Sequence, residues 1–439
     1  MFCYKENICP AEVHLLSTAR MISTEQPEKA IIVGVDTVQG GVSGENSLAE
    51  LANLAESAGA QITGEITQKL KRIDPRTFVG RGKVEELRAK ANDTHATVAI
   101  FDNSLSPVQA RNLETEAKIR VIDRSQLILD IFARRARTLE GKLQVEVAQL
   151  TYLQPRLTRQ WSHLSRLRAS GGGVGTRGPG ETQLEVDRRR LRERLARLRK
   201  RLRDVERTRG IQRNRRLEVP YPTAALVGYT NSGKSTLLNA LTGAEVEVAD
   251  RPFSTLDPTI RRLRVGEGAT LMLADTVGFI DRLPHTLIEA FKATLEEVRT
   301  ADLLLHVVDA SSPLAVERME IVDRVLDEIG ASASPRILVF NKTDLIDHTP
   351  RLGAAHDSVC VSARTGRGLD LLSQAVARFF ARMRQEVRVT LPTSRGDLVA
   401  MARRDGRVLS EEYEDGRVTV RALVTTQMAG RLRKAATIG

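Results

Sequence analysis

The sequence predicts an α/β protein with four folded segments behind an N-terminal extension, which we place at residues 1–30 and expect to be poorly ordered. The segments are a small parallel α/β domain at 31–123, a long antiparallel helical hairpin at 124–217, a larger α/β domain at 222–383 and a small α+β domain at 387–439. Three observations support this division. Strand and helix patterns alternate early in the chain, a glycine-rich stretch separates two long helical patterns, and an apolar run leads through a glycine loop into a helix near residue 230.

Composition and cysteine content indicate a protein of the reducing cytoplasm. Hydrophobic residues are 41% of the 439, and no apolar run approaches about 18 residues, the length that spans a membrane. The opening residues carry no apolar core of signal-peptide length, and Met21 is a candidate for the true start. The three cysteines lack metal-binding spacing, and we expect Cys360 to lie in the core. We therefore expect a cytoplasmic protein, and a monomer.

The first folded segment reads as a small sheet with helices between its strands. Buried strands are predicted at 31–35, 97–101 and 119–122, and helices at 48–58 and 84–91. The run Gly80-Arg81-Gly82-Lys83 resembles a phosphate loop, but Thr77 and Val84 stand where glycine and serine or threonine are required. We interpret this run as a strand-to-helix turn.

The segment 124–217 is predicted to form two long helices joined by a loop. Residues 171–180 contain six glycines, which no helix accommodates, whereas helical patterns run over 124–168 and 181–216. Apolar residues in the second stretch follow a heptad seam that Arg188 interrupts, and we expect this seam to pack against the first helix. The members of the seam are Leu184, Leu191, Leu195, Leu198, Leu202 and Val205.

The same segment carries the whole excess of positive charge. The net charge is +12, and residues 151–220 contain 20 Arg or Lys against 7 Asp or Glu, which leaves 47 basic and 48 acidic residues elsewhere. A localised basic surface favours a polyanion, and nucleic acid is the obvious one. The alternatives are a solvated helix face for the arginines and a plain connector for the glycine loop. The candidate RNA-binding residues are Gly173, Gly175, Arg177, Gly178, Arg188, Arg189 and Arg190.

The third segment contains a phosphate-binding loop of the form Gly, four residues, Gly-Lys-Ser. It follows the apolar strand at 224–227 and opens a helix, which is the context in which loop N–H groups face a triphosphate. Lys234 is expected to neutralise the β- and γ-phosphates, and the Ser235 hydroxyl to bind Mg²⁺. The loop residues are Gly228, Tyr229, Thr230, Asn231, Ser232, Gly233, Lys234 and Ser235.

Two further stretches are expected to sense the γ-phosphate. After the apolar run at 271–274, Asp275 can bind Mg²⁺ through water and the Gly278 N–H can contact the γ-phosphate. In the proline-flanked loop at 252–258, Thr255 would supply the second protein ligand of Mg²⁺, with Thr259 as the alternative. We assign the catalytic contribution to Lys234, Thr255 and Gly278. The other residues assigned to the nucleotide here are Phe253, Ser254, Leu256, Asp257, Thr276 and Val277.

Two short motifs specify guanine as the base. The Asp344 carboxylate can accept hydrogen bonds from N1–H and the exocyclic amine of guanine, whereas adenine offers neither donor. After the strand at 359–361, a second motif would hold the base through backbone N–H groups. We therefore predict that 222–383 is a P-loop GTPase domain that uses GTP with Mg²⁺. The residues of the two motifs are Asn341, Lys342, Thr343 and Asp344, and Ser362, Ala363 and Arg364.

Phe279 departs from a common GTPase pattern. It follows Gly278 where many switch GTPases carry a glutamine that orients the attacking water, and a phenyl ring cannot do this. Slow intrinsic hydrolysis is therefore predicted, with a partner completing the site. His285 could act as a substitute base, although a loop or core histidine is the simpler interpretation.

The last segment is predicted to be an accessory module without visible chemistry. A strand at 387–391 and a helix at 397–403 precede a hairpin that turns at Asp415-Gly416, and a helix ends the chain.

As a set, these motifs resemble the HflX family of translation-factor-related GTPases over roughly residues 48–383. The resemblance implies binding to the large ribosomal subunit, action on stalled or stress-idled ribosomes, and separation of the subunits. It also implies that the hairpin loop approaches the peptidyl-transferase region, and that a hydrophobic residue such as Phe279 does not mark an inactive enzyme. The stretches that carry the resemblance are 123–136, 172–185, 227–231, 253–258 and 275–279.

The leading hypothesis is therefore a ribosome-associated GTPase, slow alone and stimulated by ribosomes, that dissociates or rescues stalled or idle ribosomes under stress. The alternative is a nucleotide-gated scaffold for RNA or protein in which GTP hydrolysis is incidental. Turnover of GTP with and without ribosomal subunits separates the two. A regulator at a membrane surface finds no anchor in the sequence.

Overall fold

A computed structural model of the protein describes residues 27–37, 44–169, 183–217, 221–243, 252–253, 259–265, 269–282, 292–347 and 357–437. The chain folds as two units. Unit 1 holds Met1–Val205, Arg251–Phe253 and Leu283–Phe291, and unit 2 holds Glu206–Asp250, Ser254–Arg282 and Lys292–Gly439. Of the helices within the described ranges, none combines the length and the apolar character that a membrane span requires.

Unit 1 begins with a four-stranded parallel sheet in the strand order β2-β1-β3-β4. The first strand begins at Lys29, inside the stretch that the sequence assigned to a disordered extension. Its two faces are covered by helices, which bury residues such as Ile31 and Phe101 completely. The elements are β1 (Lys29–Thr37), α1 (Gly44–Ser57), β2 (Gln61–Leu70), α2 (Arg81–Thr94), β3 (Val98–Phe101), α3 (Pro107–Ala117) and β4 (Arg120–Asp123).

Two of these elements, β2 and α3, were not predicted from the sequence. Strand β2 lies at the edge of the sheet and buries only Ile66 fully, so its residues form no apolar run. Helix α3 begins with a capping box in which the Ser106 and Gln109 side chains and backbones bond reciprocally. The glycine run that resembles a phosphate loop opens helix α2 instead, since Gly80 is its N-cap.

The buried carboxylate of Asp123 joins the sheet to the helices that follow it. Asp123 is 1% exposed and caps α4 (Arg124–Arg135) by accepting from the Gln126 N–H at 3.0 Å. Its Oδ2 accepts from the Tyr152 hydroxyl at 2.6 Å and from the Arg156 guanidinium at 3.0 Å. Both of these residues belong to α5 (Leu139–Ala169), so one carboxylate fixes the start of one helix and the position of the next.

Helix α5 packs against α6 (Gln183–Leu217) through the apolar seam that the sequence predicts. Leu195 and Leu198 are 4% and 6% exposed and cluster with Leu143 and Val147. Helix α6 is also tied to α5 by an ion pair between Arg194 and Glu146, at 2.6 Å. The side chain of Leu184 lies outside the described residues, as do all the atoms of the glycine loop.

Unit 2 is built on a six-stranded sheet in the order β10-β9-β8-β5-β7-β6, with β6 antiparallel to β7 and the other pairings parallel. Strand β5 lies inside this sheet, and its carboxyl end carries the glycine loop. The elements are β5 (Thr223–Val227), α7 (Lys234–Thr242), β6 (Thr259–Val265), β7 (Ala269–Asp275), α8 (Lys292–Thr300), β8 (Leu303–Asp309), α9 (Ala315–Glu328), β9 (Arg336–Asn341), β10 (Ser358–Cys360) and α10 (Leu369–Arg382).

The chain then continues into a three-stranded antiparallel sheet in the order β11-β13-β12. Asp415 and Gly416 have φ angles of 44° and 73°, which is the two-residue hairpin turn that the sequence predicts. The module has its own apolar core, to which Leu391, Val420 and Leu432 belong. Its elements are β11 (Gln385–Pro392), α11 (Gly396–Asp405), β12 (Arg407–Glu414), β13 (Arg417–Val424) and α12 (Thr426–Thr437).

We predict that Asp123→Asn destabilises unit 1 by about 3–5 kcal/mol, because it leaves the Arg156 charge buried without its counter-charge. Asparagine still caps a helix, so the loss reports the contacts of Oδ2 with Arg156, Tyr152 and the Leu105 N–H. Calorimetry should show a fall of about 10 °C in the unfolding temperature of this unit. The matched control, Asp397→Asn, breaks an exposed pair with Arg395 and should leave the unfolding temperature unchanged. Equal effects of the two variants would contradict the prediction.

Candidate nucleotide site

Two glycines give the phosphate loop its close approaches. A Cβ at Gly228 would stand 2.3 Å from the carbonyl oxygen of Val307, and a Cβ at Gly233 would stand 2.3 Å from Nδ2 of Asn341. Gly233 also has a φ of 89°, a conformation that side chains disfavour. The two glycines of the motif therefore let the loop pass β8 and approach the end of β9, and any other residue at either position would displace it.

Lys234 is buried at the first turn of α7 and points back into the loop. Its ammonium donates to the carbonyl oxygens of Gly228 and Tyr229, at 3.0 and 2.7 Å. Burial lowers the pKa of Lys234 to about 8, and the charge of Asp275 opposes that shift only in part. A buried cation lined by backbone oxygens gains strongly from an anion, so the geometry suits a bound phosphate.

Ser235 and Asp275 meet beside this lysine. The Ser235 hydroxyl donates to Oδ2 of Asp275 at 2.6 Å, and both side chains are buried. A hydroxyl and a carboxylate are the oxygen ligands that Mg²⁺ takes in proteins, together with water and phosphate oxygens. The donor set therefore fits Mg²⁺. Within the described residues no cluster of three His, Cys, Asp or Glu side chains offers a different metal site.

The stretch after Asp275 pairs with the phosphate loop through its backbone. The Thr230 N–H donates to the Phe279 carbonyl at 2.8 Å, and the Phe279 N–H donates to the Gly228 carbonyl at 3.1 Å. A Cβ on Gly278 would stand 3.0 Å from Cα of Thr230 and 3.2 Å from Nζ of Lys234. The structure thus brings Gly278 to the lysine that the sequence links with the γ-phosphate. The Phe279 ring is 1% exposed and lies in the core.

The two guanine motifs meet at the ends of β9 and β10. Asp344 accepts from the Ser362 hydroxyl at 2.7 Å and from the Arg364 guanidinium at 2.5 Å. The Ser362 hydrogen bond is the main cause of a lowered pKa for the Asp344 carboxyl, so the group is charged at neutral pH. Asn341 accepts from the Ala363 N–H at 2.9 Å. The Ser362 N–H likewise donates to the Arg367 carbonyl, at 2.9 Å. The structure therefore holds a charged carboxylate beside the second motif, while the Ser362 and Ala363 N–H groups bond within the protein.

The remaining residues of these motifs hold the loops in place. The Thr343 hydroxyl donates to the Val361 carbonyl at 2.9 Å, and Lys342 forms an ion pair with Asp309 at 2.8 Å. The Thr276 hydroxyl donates to the Leu226 carbonyl at 2.5 Å, which ties the end of β7 to β5. Val277 is buried in the core. These contacts hold the loops of the site in position.

Phe253 makes a contact that no pattern in the sequence predicts. Its ring is 2% exposed and packs edge-on against Phe132 of α4 within unit 1, with centroids 4.6 Å apart. Its φ of 56° is unusual for an aromatic residue. The rest of the loop assigned to the nucleotide lies outside the described residues, together with His285. The undescribed members of that loop are Ser254, Thr255, Leu256 and Asp257.

Tyr229 is a further site residue whose role the loop pattern does not reveal. Its hydroxyl accepts from the Asp281 N–H at 3.1 Å, and the Arg318 guanidinium lies 4.9 Å from its ring centroid. The aromatic side chain thus braces the phosphate loop against the stretch that follows β7. An aromatic residue at the first variable position of the loop was the only available signal.

The structure describes three of the candidate RNA-binding residues, and the other four lie outside the described residues. Arg188, Arg189 and Arg190 are exposed on α6. The exposed basic surface continues along this helix, in which the stretch from Arg188 to Arg203 has ten Arg or Lys and one acid, Glu193. The candidates of the glycine loop lie outside the described residues; they are Gly173, Gly175, Arg177 and Gly178.

Comparison with protein families matches three consecutive parts of the chain. Residues 45–133 match a family described as GTP-binding GTPase N-terminal, residues 135–216 match GTP-binding GTPase Middle Region, and residues 223–342 match 50S ribosome-binding GTPase. The third match, to a GTPase family, confirms the predicted P-loop GTPase fold. The site geometry above therefore belongs to a domain that binds and hydrolyses GTP.

Curated relatives match over most of the chain. A protein named GTPase HflX from Caldanaerobacter subterraneus is 45% identical over 92% of this chain and 93% of its own length. Another of that name from Escherichia coli is 49% identical over 80% of this chain and 83% of its own. Among solved structures, a GTP-binding protein from Sulfolobus solfataricus in complex with GDP is 25% identical, with a TM-score of 0.43 over 80% of this chain and 98% of that one.

We predict that affinity for GDP falls as pH rises through the lowered pKa of Lys234. Phosphate favours the charged ammonium, so above a pKa of about 8 each binding event must take up a proton. Binding at pH 9 should be about tenfold weaker than at pH 7. Titration calorimetry in two buffers of different ionisation enthalpy measures the affinity and the proton uptake. Circular dichroism at both pH values controls for unfolding, and an unchanged affinity would argue that the lysine stays charged.

We predict that Asp344→Asn weakens GTP binding by on the order of 10²–10⁴-fold, because two charge-assisted hydrogen bonds to guanine are lost. Xanthosine triphosphate, which has an oxygen in place of the exocyclic amine, should bind this variant better than GTP does, since the asparagine amide can donate to it. Competition against a fluorescent nucleotide measures both. Asp347→Asn changes an exposed residue nearby and is the matched control, with unchanged affinity expected. Retention of the GTP preference by the Asp344 variant would refute this assignment.

Proposed function

The chain belongs to the HflX family of GTPases and hydrolyses GTP, and from this premise we propose that it binds the large ribosomal subunit in the cytoplasm and dissociates or rescues stalled or idle ribosomes under stress. The GTP-bound form would dock on ribosomal RNA, and hydrolysis would release it. Binding and release would then follow the state of the nucleotide.

The basic surface of α6 is the observation that carries this proposal. Its apolar seam is buried against α5, so the arginines on the other faces are left to the solvent side, and one acid balances ten basic residues there. A helix face that contacts only solvent is stabilised by a mixture of positive and negative side chains. A face that binds a polyanion is favoured by positive side chains alone. Ribosomal RNA is such a polyanion, and a family described as ribosome-binding matches residues 223–342.

The described residues suit phosphoryl transfer by electrostatic stabilisation. The Lys234 ammonium would neutralise charge on the β- and γ-phosphates, and the Gly278 N–H would donate to the γ-phosphate. Ser235 and Asp275 would hold Mg²⁺, Asp275 through water. When bound, the ion supplies positive charge to the phosphoryl oxygens. We propose that Thr255 gives the second protein ligand, with Thr259, at the start of β6, as the alternative.

Hydrolysis by the chain alone is proposed to be slow. The residue after Gly278 is Phe279, whose ring is buried and has no atom that could orient a water molecule. The ribosome would then supply or position the missing group. A catalytic arginine delivered in trans illustrates the scale of such help, about 10³–10⁵-fold in other GTPases.

A nucleotide-gated scaffold is the second candidate. The same basic surface would then bind many RNAs with equal, strongly salt-dependent affinity, and hydrolysis would serve no release step. Among the described residues, the ordered nucleotide site favours neither candidate over the other. The difference lies in whether a ribosomal partner accelerates the chemistry.

GTP turnover by the full chain, with and without purified large subunits, tests the proposal. We expect stimulation of about tenfold or more, because the partner completes the site beside Phe279. Subunit separation is followed by light scattering in the same reactions. Turnover that is indifferent to subunits but accompanied by tight binding to unrelated RNAs would support the scaffold instead.

Two sets of variants separate the nucleotide site from the basic surface. Lys234→Ala should abolish nucleotide-dependent behaviour and leave RNA affinity largely intact. The triple change of Arg188, Arg189 and Arg190 to Ala should lower the slope of log affinity for RNA against log salt by about 2–3 and leave GTP binding intact. The same phenotype from both would contradict this division. A matched triple control, in which the charge is removed elsewhere, is Arg299→Ala, Arg324→Ala and Arg388→Ala.

A further inference from the structure

A second basic surface lies within unit 2, outside the nucleotide site. It is a cleft of about 740 Å³ between the edge strand β6 and helix α11 of the C-terminal module, and we call it the β6 cleft. Arg262 and Arg264 project into it from β6, and Arg404 from α11. Among the described residues, none that lines the cleft carries a carboxylate. The two guanidinium groups of β6 thus give this open volume a local positive field.

The two arginines of β6 are available to a ligand. Both are exposed, and neither has a carboxylate partner among the described residues. Alternate residues of a strand lie about 6.6 Å apart on one face, so the two guanidinium groups form a short, regular array. Guanidinium binds phosphate through two parallel hydrogen bonds, which makes such an array suited to successive phosphates.

The other walls of the β6 cleft suit a nucleobase. Tyr221 contributes an aromatic ring 5.6 Å from the Arg262 guanidinium, and Leu241 adds apolar surface. Thr270 adds a hydroxyl that can donate or accept. Aromatic rings and guanidinium planes stack on unpaired bases, and the volume is within the roughly 300–1,000 Å³ of ligand pockets. An acidic peptide would use the arginines but would have no need of the ring.

We propose that the β6 cleft binds a segment of single-stranded RNA, with its phosphates on Arg262 and Arg264 and a base against Tyr221. Arg404 lies on the opposite wall. The proposal extends the proposed function, because it assigns an RNA contact to residues other than the basic helix. It also gives the C-terminal module a role, since one wall of the cleft belongs to it.

The test uses the full chain carrying Ala at 188, 189 and 190, so that the helix contributes less to RNA binding. The probe is a fluorescein-labelled single-stranded RNA of about ten nucleotides with one 4-thiouridine. Anisotropy is measured over a series of salt concentrations. Adding Arg262→Ala and Arg264→Ala should flatten the slope of log affinity against log salt by about 1.4, as expected for two lost phosphate contacts.

A matched control removes the same charge from other surfaces. Arg261→Ala lies on the opposite face of β6, and Arg388→Ala lies on β11, where Arg388 is 72% exposed. This pair should leave the slope unchanged. Equal flattening by both pairs would mean that only the total charge matters, and would overturn the proposal. The variant Arg262→Lys and Arg264→Lys should keep the slope but lose affinity, because lysine keeps the charge without the bidentate geometry.

Crosslinking gives a readout that does not depend on charge. Irradiation of the 4-thiouridine complex should attach RNA to the peptide that contains Tyr221, and crosslinks found only elsewhere would overturn the proposal. The proposal is supported if an acidic peptide fails to displace the labelled RNA. It is overturned if the acidic peptide binds through Arg262 and Arg264 and the RNA does not. Ribosome-stimulated GTP turnover, measured in parallel, shows separately whether the proposed function itself holds.

Discussion

One buried amide, that of Asn341, fixes the phosphate-binding part of the site relative to the base-binding part. Its Nδ2 donates to the Ser232 carbonyl at 2.9 Å, and its Oδ1 accepts from the Ala363 N–H at 2.9 Å. The side chain is 2% exposed, so an unmade hydrogen bond here would cost about 1–3 kcal/mol. It also lies against Gly233, where no side chain fits. The Asn341 side chain thus connects the phosphate loop, through its donor, to the base loop, through its acceptor. The distance between the two loops is therefore set before a nucleotide binds.

The stretch after Asp275 is held by contacts of a different kind. It pairs with the phosphate loop through two backbone hydrogen bonds of Phe279, while the ring is packed in the core. Backbone pairs of this sort contribute only about 0.5–1.5 kcal/mol each, whereas a fully buried large apolar side chain contributes about 1.5–3 kcal/mol. The buried ring therefore anchors this stretch about as strongly as the two hydrogen bonds together. Phe279 thus holds Gly278 next to Lys234, although its ring cannot orient a water molecule.

The motifs of the candidate site can be recognised in the sequence because nucleotide chemistry leaves short, ordered signals. Glycines at fixed spacing, Lys234 and Asp344 each need one residue type, and the structure brings them together. Residues that act through tertiary contact left weaker signals or none: Phe253 packs against Phe132, 121 positions earlier. Asp123 stands three residues before Gln126, a capping-box spacing that was visible but gave no hint of the ion pair with Arg156. Charge counting located α6 and missed the β6 cleft, because a near-neutral total hides a local cluster. The glycine loop lies outside the described residues, so its predicted role stays a prediction.

In α6, the repulsion between neighbouring arginines can be compared in magnitude with the stabilisation that comes from burial of the apolar seam. Neighbouring like charges at a spacing of four residues each cost about 0.2–0.5 kcal/mol, and α6 holds several such pairs, for example Arg197 with Arg201. Burial of Leu195 and Leu198 contributes about 1.5–3 kcal/mol each, so the seam outweighs the repulsion and the helix persists without a partner. A bound polyanion removes the repulsion and adds attraction on the same residues. The relief of the repulsion between arginines thus becomes part of the driving force for binding. The ion pair between Arg194 and Glu146 keeps α6 in register against α5 when the polyanion binds.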